Sequence, residues 1–479
     1  MNIKMTFYIL GKMLGVEALL LLLPAFVGLI YQEESAVYFV ITAAVMGVLF
    51  LLMGIRKPAN RKIYGKEGMV IVALTWILWS LFGAMPFTLS GSIPSYVDAF
   101  FETVSGFTTT GSTILADVEA LPQCMLFWRS FTHWIGGMGV LVFILCLLPL
   151  TGGYHMNLMK AESPGPSVSK LVPKVQSTAK ILYTIYIILT IVEIIFLLIG
   201  KMPLFDTLCL SFGTAGTGGF GIKNDSIASY STYNQVVITV FMILFGINFN
   251  AYYLLLTKKV MQAAKNEEVR YYLGIIGLAI VAIAINTREM FTSFGRAFQQ
   301  AAFQVGSIIT TTGYATTDFN VWPVFSKTIL VILMFVGACA GSTGGGIKVS
   351  RLLILCKSAR KELQLYLHPN AVKKIKMDDK AIPHEVVRAT NMFLFVYIMI
   401  FVISLLIISL DNLDMVSNFT AIAATLNNIG PGLGAVGPTG NFDTYSYISK
   451  AVMIFDMLAG RLEVFPLLLL FKRDTWRKF

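Results

Sequence analysis

Apolar residues in this chain gather in long runs rather than alternating with polar ones. The runs cover 17–30, 36–54, 68–88, 135–150, 181–200, 235–256, 272–285, 328–347, 391–410 and 451–471. A helix needs about 20 mostly apolar residues to cross roughly 30 Å of hydrocarbon. The pattern therefore predicts about ten transmembrane helices, and the expected class is an all-α polytopic membrane protein. The first run is too long for the core of a cleaved signal peptide, and no small-residue cleavage site follows it; it reads as the first span.

The breaks between runs carry a repeat. After two leading spans, one pattern recurs four times: a span, a shorter amphiphilic segment, a turn rich in Thr, Asn and Gly, then another span. The short segments are about 96–107, 203–214, 295–309 and 414–426. The turns read Thr108-Thr-Thr-Gly-Ser-Thr113, Thr214-Ala-Gly-Thr-Gly-Gly-Phe220, Thr310-Thr-Thr-Gly-Tyr-Ala-Thr316 and Asn427-Asn-Ile-Gly-Pro-Gly-Leu-Gly434. Taking Gly111, Gly218, Gly313 and Gly430 as equivalent gives a unit of about a hundred residues. The expected organisation is an N-terminal helix pair over 1–60 and four pseudo-symmetric helix–pore loop–helix repeats over 61–160, 161–262, 263–370 and 371–479.

The short segments cannot span, and irregular backbone cannot face lipid because its polar groups would lack partners. Such turns are tolerated where they line a water-filled cavity, so four of them on one axis make a pore. Backbone carbonyls from four loops form the ring of oxygens that replaces the water shell of a potassium ion. Glycine admits the backbone angles that aim successive carbonyls inward, and each short helix adds partial negative charge at its C-terminus. The candidate ion ligands are Thr110, Gly111, Thr217, Gly218, Thr312, Gly313, Ile429 and Gly430, with potassium as the only metal expected there. Asp98 and Glu102, on the first short helix, are expected to add negative potential near the outer mouth.

Composition and charge sharpen the picture. Hydrophobic residues are 56% of the 479, mean hydropathy is +0.73, and charged residues are 13%, about half the ~25% usual in soluble domains. Of the 37 Lys and Arg, 29 fall at the N-terminus, in the C-terminal tail, and in the segments 56–66, 151–180, 257–270 and 348–388. Basic segments stay in the cytoplasm, which puts both termini there and makes the net charge of +11 a topology signal rather than a nucleic-acid footprint. The cysteines show no metal-ligand spacing and the four histidines are scattered. Gly216-Thr-Gly-Gly-Phe-Gly221 fits a dinucleotide fingerprint, but no strand precedes it. The run from Gly341 to Lys348 has a P-loop flavour, but Ile347 interrupts it and it lies within a span. Neither indicates nucleotide binding, and no catalytic cluster is seen; an enzyme is not expected.

Together the turns, Trp128-Arg-Ser-Phe-Thr-His-Trp-Ile-Gly-Gly-Met-Gly139, Gly246-Ile-Asn-Phe-Asn250, Gly341-Ser-Thr-Gly-Gly-Gly-Ile-Lys348 and Ala459-Gly-Arg-Leu-Glu463 resemble the Trk/Ktr/HKT superfamily of potassium transporters, and the membrane subunit of its bacterial Trk branch. The resemblance covers nearly the whole chain and implies potassium uptake across the plasma membrane. It also implies a homodimer with one pore per chain, and a cytoplasmic nucleotide-binding regulatory ring docked on the basic face, where 348–388 holds ten Lys and Arg. The bland reading of that charge is topology plus contact with the lipid bilayer. No cofactor is expected on this chain. Some sodium-favouring plant relatives carry Ser where Gly111 stands, so the glycine here leans toward potassium.

Gly337 to Gly346 holds five glycines in ten residues, enough to break a helix at about 1 kcal/mol each. The resemblance implies that Gly341, Ser342, Thr343, Gly344, Gly345 and Gly346 form an intramembrane gate, held by Arg461 in the last span. Close helix crossing for the glycines, and snorkelling for Arg461, are the plainer alternatives. The other functional class is sodium- or proton-coupled secondary transport, which uses broken helices and buried acids; Glu193 and Asp456 are the evident acidic candidates.

Overall fold

The computed structural model describes residues 1–60, 63–139, 175–370 and 374–477. The end of the apolar run 135–150, most of the basic segment 151–180, Cys146, His155 and Lys373 lie outside them. Among the described residues the chain is almost wholly helical, with one two-stranded hairpin pairing Lys376–Met377 with Lys380–Ala381. Six helices are long and apolar enough to cross a bilayer: Ile3–Ile30, Ala36–Gly54, Gly65–Leu89, Ala179–Ile199, Glu267–Asn286 and His384–Asp411. Their outward faces stay apolar. Leu52 is 74% exposed, Leu278 76% and Leu406 68%, which suits lipid and not water. This is an all-α polytopic membrane protein.

The order long helix, short helix, turn, second helix recurs four times. The short helices are Tyr96–Phe107, Leu204–Gly216, Phe294–Ile309 and Met415–Leu426. Three start on a side-chain cap, Ser95, Ser293 and Asp414, each accepting the N–H of the third residue on, and the other follows Pro203. Such residues stop the chain from continuing the preceding span and restart a helix in a new direction.

The second helices depart from the continuous spans expected. They are Gln123–Gly137, Thr232–Phe245, Val324–Val336 and Tyr447–Arg461, of 15, 14, 13 and 15 residues. At about 1.5 Å per residue each covers roughly 20 Å, short of ~30 Å of hydrocarbon. The last three break at their C-terminal ends. The second turns by 90° into Phe249–Leu256. The third gives way to the glycine run, and the fourth passes through Glu463 and Val464, both at positive φ, into Phe465–Phe471. The third break was expected from its glycines; apolar residues on both sides of the others hid them from a reading of hydropathy.

The leading helices dock on the first repeat through Trp79, whose indole donates to the Met13 carbonyl at 3.2 Å. Phe107, at the end of the first short helix, packs edge-on against Trp79 and Trp128. The termini meet: the Met1 amino group donates to the Arg477 carbonyl at 3.0 Å.

Candidate functional site

All four short helices end alike. Thr110, Gly218, Thr312 and Ile429 donate their N–H to the carbonyls of Ser105, Gly213, Ser307 and Ala424, each at 2.8 Å. The residue before each donor is left-handed: Thr109 (φ 53°), Thr217 (55°), Thr311 (60°) and Asn428 (56°). This is a Schellman closure, whose left-handed position glycine or asparagine ordinarily fills. Three β-branched threonines there are unusual and strained. The residue after each donor is a glycine, again at positive φ: Gly111 (81°), Gly219 (79°), Gly313 (87°) and Gly430 (102°).

The second turn is therefore one residue out of the expected register. Gly219, not Gly218, matches Gly111, Gly313 and Gly430, while Gly218 stands with Thr110, Thr312 and Ile429. Thr217 stands at the level of Thr109, Thr311 and Asn428. Matching on a Thr-Gly pair misled, because three glycines crowd this turn and backbone angle, not residue type, sets the level.

The four turns close into a ring. A Cβ on Gly111 would run into the carbonyl oxygen of Gly218, one on Gly219 into that of Thr312, and one on Gly313 into that of Ile429. One on Gly430 would lie 2.9 Å from that of Thr110, which completes the cycle. Hydroxyl and amide contacts knit neighbouring turns: Ser112 donates to the Gly430 carbonyl at 3.1 Å and the Asn428 amide to Thr110 Oγ1 at 2.9 Å. All four positive-φ glycines line one cavity of about 210 Å³, with Thr113, Asn224 and Asn441 from the loops beyond.

Buried charge braces the ring from behind. Arg129 and Glu102, 2% and 1% exposed, pair at 2.7 Å. Glu102 also accepts from Thr113 Oγ1 and the Ile114 N–H, Arg129 donates to the Gly221 carbonyl at 3.2 Å, and its guanidinium lies 4.0 Å from the Phe220 ring centre. Glu102 thus supports the first and second turns and is neutralised, rather than lending field to the outer mouth. Asp98 is neutralised too, by Lys450 at 2.7 Å. His133 spans the same two turns: its Nε2 accepts the Phe220 N–H, which leaves Nδ1–H to donate to the Gly106 carbonyl at 2.8 Å.

The glycine run packs beneath the ring. Gly345 donates its N–H to Thr311 Oγ1 at 2.6 Å and Gly346 donates to the Asn427 carbonyl at 3.1 Å, so the third and fourth turns touch it directly. Arg461 donates to the Thr343 carbonyl at 2.9 Å and to those of Gly136 and Gly137 at 2.5 and 2.6 Å. Lys348 turns back to the Gly344 carbonyl. Asp456 has no part in this; it accepts from Ser404 at 2.8 Å. The buried acids exceed the two expected, since Glu17, Glu102 and Glu268 are also almost wholly covered. Their partners or surroundings come from distant segments, which the local sequence does not mark. Among the described residues no three His, Cys, Asp or Glu side chains are placed to hold a metal ion.

The family model for TrkH, described as a cation transport protein, matches residues 36–477. The chain belongs to this family. It is 37% identical to the Trk system potassium uptake protein TrkH of Vibrio parahaemolyticus, over the full length of both chains. It is 36% identical to the Escherichia coli protein of the same name, over 96% of each. The crystal structure of the potassium transporter TrkH from Vibrio parahaemolyticus superimposes with a TM-score of 0.89 at 34% identity, covering all of both chains.

Proposed function

We propose that this chain takes up potassium across the plasma membrane through a pore ringed by its four turns and gated by the glycine loop beneath them. The observation that carries the reading is the cyclic contact of Gly111, Gly219, Gly313 and Gly430 with the carbonyls of Gly218, Thr312, Ile429 and Thr110. Four equivalent carbonyls on one ring, with a second set from the glycines themselves, offer oxygens that replace a hydration shell. Four helix C-termini aimed at the same place favour a cation without any carboxylate. The loop from Gly337 to Lys348 lies in the path of an ion leaving the ring, and Arg461 fixes it there by carbonyl contacts on two sides. In this reading the basic segments and both termini face the cytoplasm, two chains pair as a homodimer, and a nucleotide-binding ring docks on the basic face.

The test is uptake of radioactive rubidium into liposomes holding only the purified chain, with potassium, sodium and lithium as competitors. Block by potassium far more than by sodium is expected, and deletion of residues 341–346 is expected to raise the flux. Equal block by sodium would count against the carbonyl ring. Uptake that requires a sodium or proton gradient would indicate coupled transport instead.

A further inference from the structure

Glu268 lies in the first turn of the helix Glu267–Asn286 and is 3% exposed. Its Oε1 accepts the N–H of Ala340 at 2.6 Å and of Ser350 at 3.1 Å. Ala340 immediately precedes the glycine turn, and Ser350 lies in the first turn of the helix Val349–Leu367 that follows it. One carboxylate oxygen therefore gathers both ends of the loop. The other oxygen accepts from the Asn248 amide at 3.2 Å, in the break of the second repeat. That break meets the loop twice more: Cys339 donates to the Gly246 carbonyl at 3.1 Å and Phe249 to the Gly341 carbonyl at 3.0 Å. A carboxylate at the start of Val349–Leu367 also suits the positive end of the helix dipole. The neighbouring Glu267 pairs with Lys357 at 2.5 Å, and its N–H donates to Asp378 of the hairpin at 2.7 Å. The inner helix and hairpin thus reach the loop's anchor within one residue of Glu268.

We propose that Glu268 is a positioning residue of the gate, whose carboxylate clamps both ends of the glycine loop beneath the ring, so that releasing it opens the pore without disturbing the ion's oxygens. The inference rests on reading the loop as a gate. Two buried N–H groups would lose their acceptor in Glu268→Ala, a loss large enough to change a two-state balance by at least ~tenfold.

The experiment measures flux through the purified full chain in liposomes. Glu268→Ala is expected to raise potassium flux by about tenfold or more, with the potassium-to-sodium ratio unchanged and no further gain when combined with deletion of 341–346. Glu268→Gln, which keeps one oxygen for Ala340 and Ser350, is expected to fall between wild type and alanine. Unchanged flux in Glu268→Ala beside an opened deletion variant overturns the role of Glu268 and leaves the gate standing. Unchanged flux in both overturns the gate itself. A rise accompanied by collapse of ion preference, or one that adds to the deletion, also overturns the proposal. If the alanine variant does not fold, buried Cys339 decides: Glu268→Gln should speed its labelling by a water-soluble maleimide, and an unchanged rate overturns the clamp.

Discussion

Substituting the ring glycines one at a time separates a selective ring from a merely packed one. At Gly111, Gly219 and Gly313 an added Cβ collides with a neighbouring carbonyl oxygen, and at each φ lies between 79° and 87°. Both faults are in the backbone, so no side-chain rotation relieves them. A left-handed residue with a Cβ is disfavoured by about 1–2 kcal/mol, and the clash adds to that. If the turn shifts to relieve them, the shift falls on the carbonyls that would hold potassium. Between about 1 and 2 kcal/mol of lost preference is a ~5- to 30-fold change in ion ratio. Gly111→Ser, Gly219→Ser and Gly313→Ser should each lower potassium over sodium by that much in competition uptake. Gly430→Ser should do less, because its Cβ would stand 2.9 Å from the Thr110 oxygen. Gly218→Ser is the control for register: its Cβ would strike the His133 ring, so it should lower thermal stability rather than grade the ion ratio. An unchanged ratio in Gly219→Ser, with a shifted one in folded Gly218→Ser, would refute the register; no change at any of the four would refute the selective ring.

Other outcomes follow from the bracing and the loop. Arg129→Met strands buried Glu102 without its ion partner, a loss of about 3–5 kcal/mol, and should depress the unfolding midpoint in detergent markedly; an unchanged midpoint would show that the pair is not structural. Thr311→Val keeps the β-branched shape but removes the acceptor of the Gly345 N–H, worth about 1–3 kcal/mol, and should raise resting flux by roughly 5- to 150-fold. Arg461→Gln gives up most of the contacts that tie the Thr343 carbonyl of the loop to the Gly136 and Gly137 carbonyls at the end of Gln123–Gly137 and should also raise resting flux; a fall in flux with folding intact would mean that Arg461 holds the conducting state instead.

Much of this arrangement was legible in the chain. The short helices lie within two residues of the amphiphilic segments, because Ser95, Pro203, Ser293 and Asp414 punctuate the start and the Thr, Asn and Gly turns the end. What was not legible depends on long-range closure. The slip at Gly218 arose because residue names do not reveal which of the neighbouring Gly218 and Gly219 takes positive φ. The breaks at Gly246 and Leu462 lie inside runs that read as continuous spans, because Asn248 and Asn250, and Arg461 and Glu463, are outweighed by the apolar residues around them. Glu102 was expected to lend negative potential to the outer mouth because its partner Arg129 is 27 positions away, and nothing marked Glu268 because the N–H groups it serves lie 72 and 82 positions on.

The ring is four-fold in backbone but two-sided in support. Its first and second turns are fixed by Glu102, Arg129 and His133, groups that do not touch the loop. Its third and fourth turns take hydrogen bonds from the loop itself, through Thr311 and Asn427. Thr109, the counterpart of Thr311, is buried with no partner for its hydroxyl among the described residues, so the hydrogen bonds from the loop favour one side of the ring. Three of the second helices break at their C-terminal ends, and in the third the break is drawn out from Gly337 to Lys348. In the proposed function that enlarged break is the gate. It can leave when the clamp at Glu268 releases, while each turn keeps its own Schellman closure and the ring its cyclic contacts.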